Sequence, residues 1–227
     1  MEQLYNYNNI PLTIEDLKTI LKVGDITQLP DSISMFQNSF VHKSYIIRRK
    51  NFIAKETKTP IDIIVCPSGC LDLFETSNER LEFLGDSIVG CIIVSYLYQR
   101  FPDGDEGFLT KLKSKLVNTN ALATFSNYLG LSKNLIISND VENKSNGRNS
   151  TRILEDLFES FIGAMYLSYG ENGYNVCNKF ILKILQQTID FESLILKNDN
   201  YKDILANYYK KYKYKPKYHP LAKSSTE

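Results

Sequence analysis

Apolar positions recur along most of the chain at the three-to-four-residue spacing of amphipathic helices. The pattern predicts one helix over Ile14–Val23 and a second within Ser32–Tyr45. Between Arg48 and Thr76 it breaks, and Thr59-Pro60, Cys66-Pro67 and Ser68-Gly69 mark a long irregular excursion. A strongly apolar helix then runs from Asn78 to Phe101 and is stopped by Pro102-Asp103-Gly104. Two helices follow at about 106–118 and 119–129, the second ended by Gly130. Polar Ser138–Thr151, with its Asn146-Gly147 pair, reads as a loop. Ile153–Tyr169, closed by Gly170, and Tyr174–Thr188 read as helices. Strand-like alternation is confined to Ile61–Val65, so the pattern predicts an all-α body. Residues 190–199 are polar enough for a linker. Asn200–Tyr212 then starts a new helix, and Lys213–Tyr218 opens a strand.

With 227 residues, 43% apolar and 23% charged, the chain has the composition of an ordinary globular protein and the length to bury a sizeable core. It contains no run of about 18 apolar residues, so no membrane partner is expected. MEQLYNYNNI has no basic segment leading into an apolar stretch. The expectation is an intracellular protein, cytoplasmic or nuclear and not secreted. Cys66, Cys70, Cys91 and Cys177 form neither a disulfide framework nor a zinc pattern, and are expected as reduced thiols. The net charge of +1 hides an asymmetry: residues 202–227 carry +5 and residues 1–201 carry −4. Tyr208, Tyr209, Tyr212, Tyr214 and Tyr218 interleave the basic tail, which suits either a polyanion or a solvated helix end.

The chemistry concentrates in two helices. On the first, Glu79, Glu82 and Asp86 fall within about 60° of one another at 100° per residue. On the second, Asp156 and Glu159 share a face three residues apart, while Glu155 points about 100° away. Both helices are otherwise apolar, so like charges stacked on them repel and are poorly solvated, and something cationic must compensate. If the helices pack together, with Gly163 and Ala164 allowing close approach, Glu82, Asp86, Asp156 and Glu159 converge. Four oxygen donors with no His or Cys nearby suit Mg²⁺ or Mn²⁺ rather than zinc. Such a site can clamp both oxygens of a phosphodiester displacement between two ions. The competing explanation pairs each acid with a Lys or Arg, although Arg80 and Arg152 lie on other faces of the same helices. For Glu79 it is a capping box with Thr76.

The segment Glu79-Arg-Leu-Glu-Phe-Leu-Gly-Asp-Ser87 resembles, at all nine positions, the signature of the ribonuclease III family. His42-Lys43-Ser44-Tyr45 resembles its upstream element. Glu106–Thr110, Lys113–Val117 and Leu129–Leu131 resemble its middle, and Gly147-Arg148 with Ile153–Leu167 its last. The resemblance spans about residues 32–188 and implies an all-α, homodimeric catalytic domain over 1–189. Compared with compact bacterial members the chain is longer between Tyr45 and Asn78, with an irregular insertion at about 48–76, and Lys113 stands where many have Arg. Asn200–Lys211 and Pro216–Tyr218 resemble the opening of a double-stranded RNA-binding domain, which implies a partial α/β segment over 200–227.

The resemblance implies an endoribonuclease that cuts double-stranded RNA with Mg²⁺, for which Mn²⁺ substitutes, and uses no organic cofactor. It leaves 5′-phosphates, 3′-hydroxyls and two-nucleotide 3′ overhangs. Carried over by position, the metal ligands are Glu82, Asp86, Asp156 and Glu159. Asp86 and Glu159 are catalytic, and Glu79 lies beside the ligand set. Lys43, Lys111, Lys113, Lys115 and Arg148 are candidate RNA contacts, with a solvated face the alternative for the 111–115 row. Phe83 and Leu84 are candidates for the dimer seam. Two other readings share the fold: a protein that sequesters duplex RNA without cutting it, and a dimerisation scaffold.

Overall fold

The computed structural model describes residues 4–60 and 64–196, and its chain divides into two compact units, Met1–Ile189 and Asp190–Glu227. The first unit contains α1 (Ile14–Val23), α2 (Ser34–Ser39), α3 (Ile47–Thr57), α4 (Glu79–Arg100), α5 (Glu106–Leu116), α6 (Thr119–Tyr128), α7 (Asn139–Ser145), α8 (Thr151–Ser168) and α9 (Gly173–Thr188). Among the described residues there is no strand, only isolated bridges at Val41–Ile136 and Ile46–Phe74. The expectation of an all-α body holds over these residues.

Local chemistry starts several helices where the pattern placed them. Thr13 Oγ1 accepts from Asp16 N at 3.1 Å and Asp16 Oδ2 from Thr13 N at 3.2 Å, a reciprocal cap that opens α1. Asp105 caps α5 by accepting from Phe108 N at 2.7 Å, and Asn118 caps α6 by accepting from Ala121 N at 3.0 Å. Gly130, at φ +67°, takes the left-handed turn that follows α6.

The centre of the fold is α8, packed against α2, α4, α6 and α9. Its Phe161 is fully buried, with ring centroids 5.1 Å from Phe36, 6.2 Å from Phe40 and 5.8 Å from Phe180. Each such ring contributes about 1.5–3 kcal/mol by leaving water, and its edge and tilted contacts add to that. α4 has the length and apolarity of a membrane-crossing helix. Here it buries Leu81, Ile88, Val89, Ile92, Ile93 and Leu97 as a core helix, with α8 its main neighbour.

Three expectations need correction. The excursion at 48–76 is not irregular throughout, because α3 runs through Ile47–Thr57 to Lys58 in the left-handed region. Its Ala54 joins Leu4, Tyr5, Val41, Tyr45, Ile64 and Ile136 in a small separate core. Scattered basic residues over few buried positions hid this helix from periodicity. Ser138–Thr151 is likewise not a loop: α7 occupies Asn139–Ser145, with Ser138 accepting from Val141 N at its start. In the second unit, Phe191–Leu196 is a short helix, α10, where a linker was expected; Asp190 accepts from Glu192 N and Ser193 Oγ. The rest of the linker, the helix from Asn200, the strand at Lys213–Tyr218, and Ile61–Ile63 lie outside the described residues.

Candidate active site

The crossing of α4 and α8 is set by two glycines. A Cβ on Gly85 would sit 1.8 Å from the Glu159 carbonyl oxygen, and one on Gly163 would sit 2.2 Å from that of Leu81. The backbones therefore touch, and the acids flanking the contact are carried together. Asn78 fixes the start of α4: its N–H donates to Val41 O at 2.8 Å, and its Nδ2 donates to Ser39 O at 3.2 Å. Ser160 on α8 donates to the same Ser39 carbonyl at 2.8 Å, so both helices are tied to the end of α2.

The result is a cluster in which ligand oxygens of Glu82, Asp156 and Glu159 lie within 4.8 Å of one another. Glu159 is buried, while Glu82 and Asp156 are half-buried. Burial first, and then the Asp86, Glu155, Glu82 and Asp156 charges, push the Glu159 carboxyl up to about 8. Burial and Asp156 raise Glu82, and burial and Glu155 raise Asp156. Among the described residues none of the three makes an ion pair within 4.0 Å. Three mutually repelling oxygen donors with no direct ion pair among the described residues fit a hard divalent cation. Asp86 is exposed, outside this cluster, yet close enough to be the leading charge on Glu159.

Glu79 is not part of a capping box. Thr76 donates instead to Asn38, while Glu79 accepts from Lys43 Nζ at 3.2 Å and from Ser77 at 3.0 Å. Burial acts to raise its carboxyl, but these two hydrogen bonds win and hold it below the usual range. Lys43 stands at the rim of an open cleft lined by Glu79, Glu82, Ser150, Arg152 and Asp156. Arg152, read from sequence as facing elsewhere, lines this cleft and acts to lower Asp156.

The His42–Tyr45 segment explains itself locally. The Ser138 N–H donates to Ser44 Oγ at 2.9 Å, and Ser44 Oγ lies 2.9 Å from His42 Nδ1. The Tyr45 hydroxyl donates to Leu71 O at 2.8 Å. Three of the four side chains lock the scaffold, and the lysine between them is left facing the acids. Arg148 is a correction to the expected RNA contacts. Its guanidinium donates to Glu142, Ser132 O, Leu135 O, Asn8 O and Asn9, so it is a strut with no donor to spare for phosphate. On α5, Lys111 and Lys113 are exposed and Lys115 is half-buried; none of them lines the acidic cleft. Phe52, which lines a neighbouring cleft, was missed from sequence, although it stands two positions after the basic run Arg48-Arg49-Lys50.

Two core helices that cross on glycines and present clustered carboxylates give this all-α domain an acidic site whose donor set fits a cation. Residues 79–170 match the model of the ribonuclease III domain. It is 32% identical to the probable ribonuclease 3 of Acanthamoeba polyphaga mimivirus over 223 residues, 97% of this chain and 38% of that one. It is 34% identical to ribonuclease 3 of Zunongwangia profunda over 187 residues, 81% of this chain and 64% of that one. Its fold is similar to the nuclease domain of ribonuclease III from Campylobacter jejuni, with a TM-score of 0.57 at 25% identity, covering 78% of this chain and 99% of that one. The chain spans less than two thirds of the length of the two curated relatives.

Proposed function

We propose that this chain is an endoribonuclease that hydrolyses double-stranded RNA with Mg²⁺, or Mn²⁺ in its place, as a homodimer. The observation that carries the proposal is the convergence of Glu82, Asp156 and Glu159 with no direct ion pair to any of them among the described residues. These three, joined by Asp86 at the exposed side, hold the cation. When bound, it supplies positive charge beside the scissile phosphate and acidifies a water for attack. The water oxygen bonds to phosphorus in line, the P–O3′ bond breaks, and a proton passes to the leaving oxygen. The products carry 5′-phosphate and 3′-hydroxyl ends. Asp86 and Glu159 are the catalytic pair of this reading, and Glu79 holds Lys43 at the rim.

The duplex is read by shape and by phosphate contacts, because an A-form major groove is too narrow for side chains. Lys43, Lys111 and Lys113 offer exposed charge for it. The dimer reading rests on α4: Phe83 and Tyr98 are 79% and 72% exposed. With Val94 they fall within about 60° on one helix face. Two copies joined there place one acidic site on each strand, which yields two-nucleotide 3′ overhangs. Asp86→Asn and Asp156→Asn, assayed on a labelled duplex with Mg²⁺, each abolish cutting while duplex binding by mobility shift persists. Cutting at near the unmodified rate by either variant refutes the site.

A further inference from the structure

Five cations, Arg48, Arg49, Lys50, Lys55 and Lys58, lie on or at the end of α3 against the single acid Glu56, in a body that is net negative. Between α3, residues 42–46 and the start of α7 opens a cavity of about 500 Å³. Ile46, Phe52, Ile53 and Val141 give it an apolar wall, and Arg48 and Arg49 line it as well. Glu79 and Asp140 also line it, but each is paired with a lysine, Lys43 and Lys144. Neither Arg48 nor Arg49 makes an ion pair among the described residues. Phe52 is 52% exposed, and the Arg49 guanidinium sits 5.2 Å from its ring centroid.

An aromatic ring left in water beside two unpaired guanidinium groups contributes little to the fold. It is well suited to a flat ligand carrying negative charge, whose base stacks on the ring while arginine takes its phosphate. The cavity has the size of a small-ligand pocket and admits no stem. It also adjoins the acidic cleft, since His42, Lys43 and Glu79 line both. Bases inside an A-form duplex are paired and stacked, so only an unpaired nucleotide can enter. We propose that this cleft binds an unpaired nucleotide of the RNA next to the stem that lies across the acids. The helix α3, carried by the insertion, thereby favours stems that have a single-stranded flank. This rests on the nuclease reading above.

The test uses the full chain and two RNAs, a blunt stem and the same stem with a short single-stranded flank. One arm measures kcat/KM with Mg²⁺, and the other measures Kd by fluorescence anisotropy in EDTA. Both arms favour the flanked RNA by about five-fold or more, the effect of one stacked base. Phe52→Ala and Arg49→Gln, both checked for folding by circular dichroism, bring that ratio to about one. They leave the blunt stem bound and cut nearly as before. Equal handling of the two RNAs by the unmodified protein overturns the proposal, as does an equal loss on both RNAs in the variants. If neither RNA is cut but the flank preference persists in Kd and responds to Phe52, the nuclease reading fails and the cleft stands.

Discussion

Replacing Glu159 by Gln keeps the size of the side chain and removes the charge that the α4–α8 crossing penalises. In the metal-free protein, burial and the neighbouring acids raise this carboxyl from 4.5 to about 8. The unfolded chain releases the proton near its ordinary value, whereas the folded chain keeps it to about pH 8. Between these values the folded state binds more protons, so stability falls as pH rises through the window. At 1.36 kcal/mol per pKa unit the full effect has an upper bound of about 5 kcal/mol, and screening in the open cleft leaves roughly 2–4 kcal/mol. Urea unfolding in EDTA at pH 5 and pH 8, at one protein concentration, reads it directly. Glu159→Gln gains that amount over the unmodified protein at pH 8 and little at pH 5. His42 and the titrating groups away from the cluster are common to both proteins and cancel, while the acids that act on Glu159 belong to the measured difference. Mn²⁺ at pH 8 then stabilises the unmodified protein far more than the variant, because ion binding needs the deprotonated carboxylate. Identical pH dependence in the two proteins, or a variant less stable at pH 8, refutes the reasoning.

Other consequences follow from the same geometry. Gly85→Ala places a methyl 1.8 Å from a backbone oxygen. It therefore costs more than the about 1–3 kcal/mol of ordinary overpacking, and calorimetry should show a large fall in Tm together with lost Mn²⁺ binding. Burial, and then Lys43, lower His42 to about 4. A base depressed in this way stabilises the fold above its ordinary value near 6.5, and that stability is lost as pH falls from there to about 4. His42→Gln should flatten this acid limb of a urea-midpoint titration by about 2–3 kcal/mol. Arg148→Ala strands a largely buried Glu142 and four other acceptors. A loss of about 3–5 kcal/mol in chemical denaturation is expected.

The sequence made the central helices legible because α4, α8 and α9 each bury long apolar sets at helical spacing, and Pro102 and Gly170 mark the ends of the first two. It placed Glu82, Asp156 and Glu159 on faces that can meet, and the structure brings those three together. It did not separate Asp86 from them, because the angular spread of a helix does not show which side chain tips into solvent. Gly163 was readable as a point of close approach, but its counterpart Gly85, hidden among larger signature residues, was not. α3 and α7 escaped because helices that bury one residue or none leave no periodic trace. Arg148 looked like any surface cation, since only the fold reveals five acceptors gathered from residues 8, 9, 132, 135 and 142.

The most direct test of the acidic site as a nuclease centre is cleavage of a labelled perfect RNA duplex of about 30 base pairs, more than one protein-bound turn. The duplex is incubated at low salt with Mg²⁺ and with EDTA, beside a single-stranded control. Cutting of the duplex alone, only with the metal, and with two-nucleotide 3′ overhangs, is the predicted result. Cutting that persists in EDTA, or a duplex that is bound and never cut in Mg²⁺ or Mn²⁺, contradicts the account.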